Sequence, residues 1–309
     1  MGLSVTLLTG GVGGSKLALG FYRIPACELT AIANTGDDIV MHGLHVSPDP
    51  DILMYTLAGV VNPATGWGFR DETFTVAKGL AGYGRETWFQ LGDRDFATHI
   101  HRTAMLSSGA TLSQAIEAIR RSLDISARVL PMSDDAVVTM LDTNEGIMHL
   151  QEYFVRYRCE PVVRAITFEG VSDAKPAPGV IEAIADADLV VIAPSNPLIS
   201  IGPILAVPGI RGALRRRREQ VVSVCPLVAG KSLKGPTDKM MAQLGYGVSP
   251  AAVATMYGDF CGTIILDPAD AGACAEVEAV RMRAAVLPTV MQTQEDKVRL
   301  AQSIMDRFA

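Results

Sequence analysis

The sequence lacks paired cysteines and any apolar run long enough to cross a bilayer. Its five cysteines are scattered along the chain and form no Cys-x-x-Cys pair. This usage is typical of reduced thiols in a cytosolic protein and argues against a disulfide framework. No apolar run approaches the ~20 residues that a membrane-spanning helix needs. No basic leader with an apolar segment opens the chain. We therefore expect a cytoplasmic protein with no membrane anchor.

The sequence also lacks an excess of positive charge. It has 27 lysines and arginines against 33 aspartates and glutamates, a net charge of −6. This balance excludes a general affinity for nucleic acid or for anionic membranes. A phosphorylated ligand would have to be bound by local glycine turns, individual basic residues or a metal ion. The 309 residues, 49% of them hydrophobic, are enough for a large core.

The first structural signal is a strand, a glycine turn and a helix. The β-branched run Val5 to Thr9 leads into Gly10-Gly11-Val12-Gly13-Gly14-Ser15-Lys16, and an apolar segment follows from Leu17 to Tyr22. This order predicts the opening of a parallel α/β sheet. Glycines let the backbone approach a ligand, and a helix start attracts anions. We predict that Gly10, Gly11, Gly13, Gly14 and Lys16 bind a nucleotide or its phosphates. The spacing matches neither G-x-G-x-x-G nor a Walker A loop, so a tight turn without a ligand is the alternative.

A cluster of carboxylates follows the second predicted strand. Residues 29–33 lead into Asn34-Thr35-Gly36-Asp37-Asp38, and Asp49, which has a proline on either side, and Asp51 follow. Four carboxylates within fifteen residues would repel one another unless a hard cation such as Mg²⁺ or a ligand's hydroxyl groups lay between them. The alternative is an ordinary helix cap with surface charge. We expect the nearby His42 and His45 to be solvated loop residues.

The middle of the chain breaks the alternation of strands and helices. Trp67 and Trp88 lie there among glycines and charges, which suits a flat heteroaromatic ligand; two core tryptophans are the alternative. Thr111 to Leu123 reads as an amphipathic helix with a capping box. We predict a loop over 130–135 and then strands over 136–141, 151–157 and 162–168. After them we predict a helix over 180–187 and a buried strand over 189–193.

Length alone suggests about two domains, but a single α/β domain over 1–309 fits as well. The patterns predict a parallel sheet core, with the middle of the chain as an insertion on that sheet.

Six blocks in order resemble the 2-phospho-L-lactate transferase family of coenzyme F420 biosynthesis over nearly the whole chain. The blocks are Thr9-Gly10-Gly11-Val12-Gly13-Gly14-Ser15-Lys16, Asn34-Thr35-Gly36-Asp37-Asp38, Ser47-Pro48-Asp49-Pro50-Asp51, Leu91-Gly92-Asp93-Arg94-Asp95 with His99, Leu130-Pro131-Met132-Ser133-Asp134-Asp135, and Pro194-Ser195-Asn196-Pro197 with Ser200-Ile201-Gly202-Pro203.

The resemblance implies a reaction. A guanosine diphosphate-linked three-carbon acid (phospholactate, phosphoenolpyruvate or phosphoglycerate) donates its phospho-acid to the terminal ribityl hydroxyl of the deazaflavin precursor Fo, and GMP leaves. The product is F420-0 or its dehydro form. The fold class that the resemblance implies is α/β, a single domain with a Rossmann-like parallel sheet core and an inserted, mostly helical region, here roughly 62–150, that contributes to the deazaflavin site. The family is usually dimeric and needs Mg²⁺. The resemblance therefore implies a homodimer with small-molecule substrates, and the sequence leaves the donor's acid open.

The resemblance also implies roles for individual residues. Asp37 and Asp51 would hold Mg²⁺ or orient the attacking hydroxyl. The residues expected near Fo are Asp51, Gln90 (where relatives often carry lysine), Asp93, Ser133 and Asp134. Those expected near the guanosine phosphates are Ser195, Asn196 and Ser200. No residue stands out as a covalent nucleophile, and a direct displacement needs none.

Two other functions remain open. The gluconeogenesis-factor family has a similar fold and glycine start, binds a nucleotide sugar and acts as a regulator. An NAD-dependent dehydrogenase is the second alternative, because Asp37 lies about 20 residues after the glycines, where a ribose-binding acid is found. The missing third glycine argues against the dehydrogenase.

Overall fold

The fold is built around a parallel sheet with helices on both faces. The structure, a computed structural model, describes residues 2–309. The strands are β1 (Leu3–Thr9), β2 (Cys27–Ala33), β3 (Ile39–Met41), β4 (Leu44–Val46), β5 (Arg128–Pro131), β6 (Val138–Thr143), β7 (Gly146–His149), β8 (Val163–Glu169), β9 (Leu189–Ile192), β10 (Val221–Val224), β11 (Leu227–Val228), β12 (Lys231–Ser232), β13 (Thr263–Leu266) and β14 (Arg283–Val286).

The helices alternate with these strands at both ends of the chain and follow one another in its middle. They are α1 (Gly11–Tyr22), α2 (Pro48–Leu57), α3 (Thr75–Gly82), α4 (Asp93–Ser107), α5 (Leu112–Ser122), α6 (Val180–Asp186), α7 (Ile201–Ala206), α8 (Ile210–Arg216), α9 (Thr237–Gln243), α10 (Pro250–Tyr257), α11 (Cys274–Ala279) and α12 (Gln294–Phe308). A π-helical segment covers Glu152–Arg156, and short 3₁₀ segments cover Arg218–Gln220 and Pro268–Ala273.

The central sheet has the strand order β14-β13-β10-β9-β1-β2-β5, with every neighbouring pair parallel. The chain runs outward from β1 through β2 to β5 and then crosses to β9 on the other side of β1. The strand order therefore reverses between β1 and β9. Open α/β sheets bind ligands at such a switch point, outside the carboxyl ends of the strands. The predicted fold class is confirmed.

Two apolar layers cover the faces of this sheet. Leu7 and Val191 pack into the layer formed with α1, α2, α5 and α12, whereas Leu8 and Ile192 pack into the layer formed with α6, α7, α8, α10 and α11. The four residues of β9 are all buried, as are those of β10 and β13. This is the burial expected of central parallel strands with helices on both faces.

Most of the predicted elements are present, including the capping box of α5, in which Thr111 and Gln114 exchange hydrogen bonds. The predicted strand over 151–157 is wrong, because the chain makes a π-helical turn there that buries Tyr153. The predicted loop over 130–135 begins too early, since β5 extends through Pro131. Pro131 ends an edge strand, where a missing N–H is tolerated.

The region of roughly 62–150 departs from the alternating pattern of strands and helices. It contains α3, α4 and α5, and it also contains β5, which belongs to the central sheet. The strands that follow, β6, β7 and β8, form a separate antiparallel sheet in the order β7-β6-β8. None of the residues of α3 is buried. Within residues 2–309, no helix combines the length and the apolar character needed to span a membrane. All five cysteines are free thiols.

Candidate active site

A cavity of about 580 Å³ lies at the C-terminal edge of the sheet, beside the switch point. Its wall includes Gly11, which follows β1, Asp37, which follows β2, and Ser200, which follows β9. The remaining wall comes from α2, α4 and the connecting segments 67–68, 87–91 and 150–158. A second cavity of about 600 Å³ lies at the opposite edge of the sheet, and none of the predicted site residues lines it.

The glycine turn is shaped by close packing against neighbouring loops. Gly11 has a φ of +66°, which favours glycine, and its N–H donates to Asp49 Oδ1 at 2.7 Å. A Cβ atom on Gly10 would lie 2.6 Å from Asp49 Oδ2 and 2.8 Å from Ser200 Cβ. One on Gly14 would lie 2.0 Å from Thr9 Oγ1, and one on Gly13 would lie 2.8 Å from the carbonyl oxygen of Pro194. These glycines let α1 begin against the ends of β1 and β9, and Gly11 faces the cavity.

Lys16 does not line the cavity. Its Nζ donates to the carbonyl oxygen of Met291 at 3.1 Å. Partial burial lowers the pKa of Lys16, and the nearby charges of Lys234 and Lys297 lower it further. Lys234 Nζ in turn donates to the carbonyl oxygen of Thr65 at 3.2 Å. The three lysines therefore form a positive cluster on the α1 side of the glycine turn.

Asp37 and Asp49 are held together by one amide. Asn34 Nδ2 donates to Asp37 Oδ1 at 3.2 Å and to Asp49 Oδ2 at 2.9 Å, and Gln151 Nε2 donates to Asp37 Oδ2 at 2.9 Å. Burial raises the pKa of Asp37 well above its usual range, and the Asp49 carboxylate adds to the shift. Burial also raises the pKa of Asp49, to about 6. Two buried carboxylates that lie together in the cavity wall, with no positive charge beside them, favour the binding of a cation.

Asp51 has a different environment. Arg102 Nη1 donates to Asp51 Oδ2 at 3.1 Å, and Arg102 Nη2 donates to Asp51 Oδ1. The guanidinium is fully buried. His99 Nδ1 lies 3.7 Å from Asp51 Oδ2, and burial lowers the pKa of His99 to about 4, so the imidazole is neutral at pH 7. Asp51 is therefore neutralised by the protein itself, through a partner on α4.

The other half of the cavity is aromatic. Trp67, Trp88, Phe89 and Phe154 line it, and the rings of Trp88 and Phe89 meet edge to face with centroids 5.8 Å apart. Both tryptophans are partly exposed, with 40% of Trp67 accessible, so neither is an ordinary core residue. Gln90 also lines this half. Such a wall can hold a flat ring system.

Five other predicted site residues lie outside the cavity wall and bind protein groups instead. Asp93 accepts hydrogen bonds from Thr73 Oγ1 and from the N–H groups of residues 75 and 76, and the Thr73 hydroxyl is the main reason that the pKa of Asp93 falls to about 2. The hydroxyl of Ser133 donates to the Lys175 carbonyl oxygen, and that of Ser195 donates to the Gly10 carbonyl oxygen. Asp134 accepts the N–H of Ser113, and Asn196 accepts the N–H of Leu198.

Sequence reasoning missed Arg102, Asp95 and the role of His45. The Nε2 atom of His45 lies 2.8 Å from Asp38 Oδ2, and His45 belongs to β4, so the expectation of a solvated loop histidine is wrong for it. Asp95, His99 and Arg102 are the buried polar residues of α4. Their spacing of four and three residues marks one helix face, which is the signal that could have identified them.

Comparison with known proteins gives a consistent result. The family model of the 2-phospho-L-lactate transferase CofD matches residues 5–300. A phosphoenolpyruvate transferase of Streptomyces griseus is 44% identical over 311 residues, covering 98% of each chain. One of Mycolicibacterium smegmatis is 40% identical over 323 residues, also covering 98% of each chain. A solved structure of a UPF0052 family protein from Bacillus halodurans has a TM-score of 0.67 at 16% identity, with 99% of each chain covered, which is a likeness of fold alone.

Proposed function

Since the chain belongs to the CofD family of 2-phospho-L-lactate transferases, and is thus a transferase of coenzyme F420 biosynthesis, we propose that its acceptor is Fo and its donor a guanosine diphosphate-linked three-carbon acid. The observation that carries this proposal is the composition of the cavity wall. Carboxylates and the glycine turn line one part of it, and two tryptophans and two phenylalanines line another. A diphosphate donor suits the first part and a flat tricyclic acceptor suits the second.

The donor's acid is proposed to be phosphoenolpyruvate. The curated relatives from Streptomyces griseus and Mycolicibacterium smegmatis carry the name phosphoenolpyruvate transferase, and the matches extend over almost the whole chain. Transfer of this acid to Fo would give dehydro-F420-0 and GMP. Phospholactate and phosphoglycerate are the alternatives that the product assay below distinguishes.

Magnesium is proposed to bind Asp37 and Asp49. Mg²⁺ prefers oxygen ligands and is commonly held by one or two carboxylates together with substrate phosphates and water. The two carboxylates on the shared Asn34 amide fit that requirement, whereas both oxygens of Asp51 are already bound by Arg102. We therefore favour Asp49 over Asp51 as the partner of Asp37. When bound, the cation would neutralise charge on the diphosphate of the donor.

The protein's contribution to the reaction is mainly positioning. The ring of Fo would stack against Trp67 and Trp88, and its ribityl chain would run toward Asp51. Asp51, held by Arg102, would accept a hydrogen bond from the terminal hydroxyl and orient it toward the phosphorus that bears the acid. The new P–O bond forms as the P–O bond to GMP breaks, and the proton of the hydroxyl would be released to water along the hydrogen bond to Asp51. Holding both substrates in line is how phosphoryl-transfer enzymes obtain most of their rate.

The nucleotide is proposed to bind at the glycine turn. Gly11 and Ser200 face the cavity there, and the cluster of Lys16, Lys234 and Lys297 lies on the α1 side of that turn. Ser195 would act by fixing the loop after β9 to Gly10, since its hydroxyl donates to that carbonyl oxygen at 2.7 Å. Homodimer formation and a cytoplasmic location remain part of the proposal.

A fluorescence titration with Fo tests the acceptor. Purified protein is titrated with and without Mg²⁺ and GDP, beside Trp88→Ala and Asp51→Ala. We expect saturable binding by the parent protein and at least tenfold weaker binding by both variants. Ile147→Ala is a matched control, because Ile147 is exposed and lies on β7, outside the cavity wall. No binding of Fo by folded protein under any of these conditions would contradict the proposal and favour a nucleotide-sugar-binding regulator.

A further inference from the structure

Two polar groups in the cavity wall have no role in the mechanism above. The first is the hydroxyl of Tyr55, on α2. Tyr55 is 1% exposed, and its hydroxyl makes no hydrogen bond of normal geometry within residues 2–309, although the side chains of Thr98 and Asp95 lie beside it. The ring is held against Phe69, with centroids 4.1 Å apart. Burial raises the pKa of this phenol well above 10, so the hydroxyl keeps its proton and remains a donor. A buried hydroxyl without a partner is unfavourable, and a polar atom of a ligand would relieve that cost.

The second group is the carboxyl of Asp95, on α4. Its Oδ2 accepts the N–H of Gly92 at 3.3 Å, and the Tyr55 hydroxyl lies beside the carboxyl. Arg102 uses both Nη atoms to bond Asp51, and no basic side chain forms an ion pair with Asp95 among the described residues. Burial and the Asp51 carboxylate raise the pKa of Asp95 to about 7. Asp95 can therefore both donate and accept a hydrogen bond near neutral pH.

The position of Tyr55 on α2 shows how far these two groups lie from the carboxylates of the cavity. Tyr55 follows Asp49 by six residues on the same helix, which is a rise of about 9 Å, and it follows Asp51 by one turn. An acceptor whose attacking hydroxyl lies at the carboxylates would have to extend along α2 toward Tyr55. Trp67 and Trp88 belong to the same cavity wall as Tyr55 and Asp95. A ring stacked on the tryptophans would then present its edge to the two polar groups.

We propose that the Tyr55 hydroxyl and the Asp95 carboxyl bind the polar edge of the acceptor's ring and thereby select the acceptor. Tyr55 donates to a carbonyl oxygen on that edge, and Asp95 pairs with an adjacent ring N–H or hydroxyl. The ligand class is a heteroaromatic with a donor and an acceptor side by side. This inference rests on the proposed transferase function, and it assigns to recognition two residues that take no part in bond formation.

The test compares Fo binding by the parent protein, Tyr55→Phe and Asp95→Asn. Each substitution keeps the shape of the side chain and removes or alters one hydrogen-bonding atom. We expect the Kd for Fo to rise about 5- to 20-fold in each variant, which is the usual effect of one hydrogen bond. The Kd for GDP and the kcat at saturating Fo should stay within about twofold. Tyr257→Phe is the matched control, because the Tyr257 hydroxyl is also buried without a partner but lies outside the cavity wall.

Melting temperatures separate recognition from folding. Tyr55→Phe should melt at or above the parent protein in the absence of ligand, because the hydroxyl that it removes has no partner. If either variant fails to fold, the other decides the result. If both bind Fo as tightly as the parent while Trp88→Ala binds weakly, the inference is overturned and the proposed function stands. If the parent does not bind Fo at all, both are wrong.

Discussion

Replacement of Arg102 by methionine is the most direct test of how the structure holds Asp51. The substitution keeps an unbranched apolar stem and removes the only basic side chain bonded to that carboxylate among the described residues. Both partners are buried, with 0% of the Arg102 side chain and 6% of the Asp51 side chain accessible. Breaking such a pair by removing one partner costs about 3–5 kcal/mol, because the other charge stays buried and unpaired. Arg102 also donates to the carbonyl oxygen of His45, which would lose that bond.

The assay is thermal and denaturant unfolding of four variants and the parent. Arg102→Met should lower the melting temperature by roughly 6–10 °C, at about 2 °C per kcal/mol for a chain of this size. Arg121→Met is the control, since 74% of the Arg121 side chain is exposed and its pair with Glu117 is a surface pair on one helix. Its loss should change stability by about 0.5 kcal/mol or less.

A double variant makes the test quantitative. Asp51→Asn leaves Arg102 without its counter-charge, so we expect this change alone to destabilise as well. Asp51→Asn combined with Arg102→Met removes both charges, and it should be more stable than the sum of the single effects predicts, by at least about 1.5 kcal/mol. Additive single effects, or an Arg102→Met variant that melts within 2 °C of the parent, would refute the claim of a buried, neutralising pair.

Three further predictions concern the cavity. Asp95→Asn should raise the melting temperature at pH 8 more than at pH 5. The pKa of Asp95 in the folded protein, about 7, is higher than in the unfolded chain. The carboxyl therefore favours folding below pH 4, and this contribution to stability is lost as the pH rises through 7. In calorimetric titrations with Mg²⁺ and GDP, Asp37→Asn and Asp49→Asn should lose metal binding at least tenfold while Asp51→Asn retains it; equal losses in all three would contradict the assignment. Gly10→Ala should lower activity at least 100-fold, because its Cβ would lie 2.6 Å from an Asp49 oxygen; near-normal activity would show that the turn can shift.

The sheet and the glycine turn could be predicted because their signals are local. Val5 to Thr9 are β-branched or apolar, the glycines follow at once, and strand β2 leads directly into Asp37. The parallel order then places the ends of β1 and β2 side by side. The sequence alone was therefore enough to predict that Gly11 and Asp37 lie at the same edge of the sheet.

The partners of the carboxylates could not be predicted in the same way. Asp51 and Arg102 are 51 positions apart, and a charged residue on a helix is usually solvated. Asp93 and Asp95 are neighbouring acids of one motif, yet Asp95 faces the cavity while Asp93 accepts hydrogen bonds from the first N–H groups of α3. Two positions along a helix correspond to about 200°, so these residues point to opposite sides. Only the packing of α4 against β4 and α5 decides which of them faces the ligand.

Ser133 and Asp134 lie outside the cavity wall for a similar reason. They follow β5, the edge strand on the far side of β2 from the switch point. Ser133 binds the carbonyl oxygen of Lys175, and Asp134 binds the N–H of Ser113 at the start of α5. The motif that contains them therefore organises the edge of the sheet in this structure. The sequence gives no indication of how far this edge lies from the cavity.

The measurement that tests the central claim most directly is a product assay with Fo. Parent protein is incubated with Mg²⁺, Fo and each of the three GDP-linked acids in turn, and GMP and the modified deazaflavin are quantified by mass spectrometry. The account predicts GMP and dehydro-F420-0 in equal amounts with the phosphoenolpyruvate donor, only when Fo is present, and no product with Asp37→Asn. GMP release that does not depend on Fo, or no conversion with any of the three donors, would contradict it.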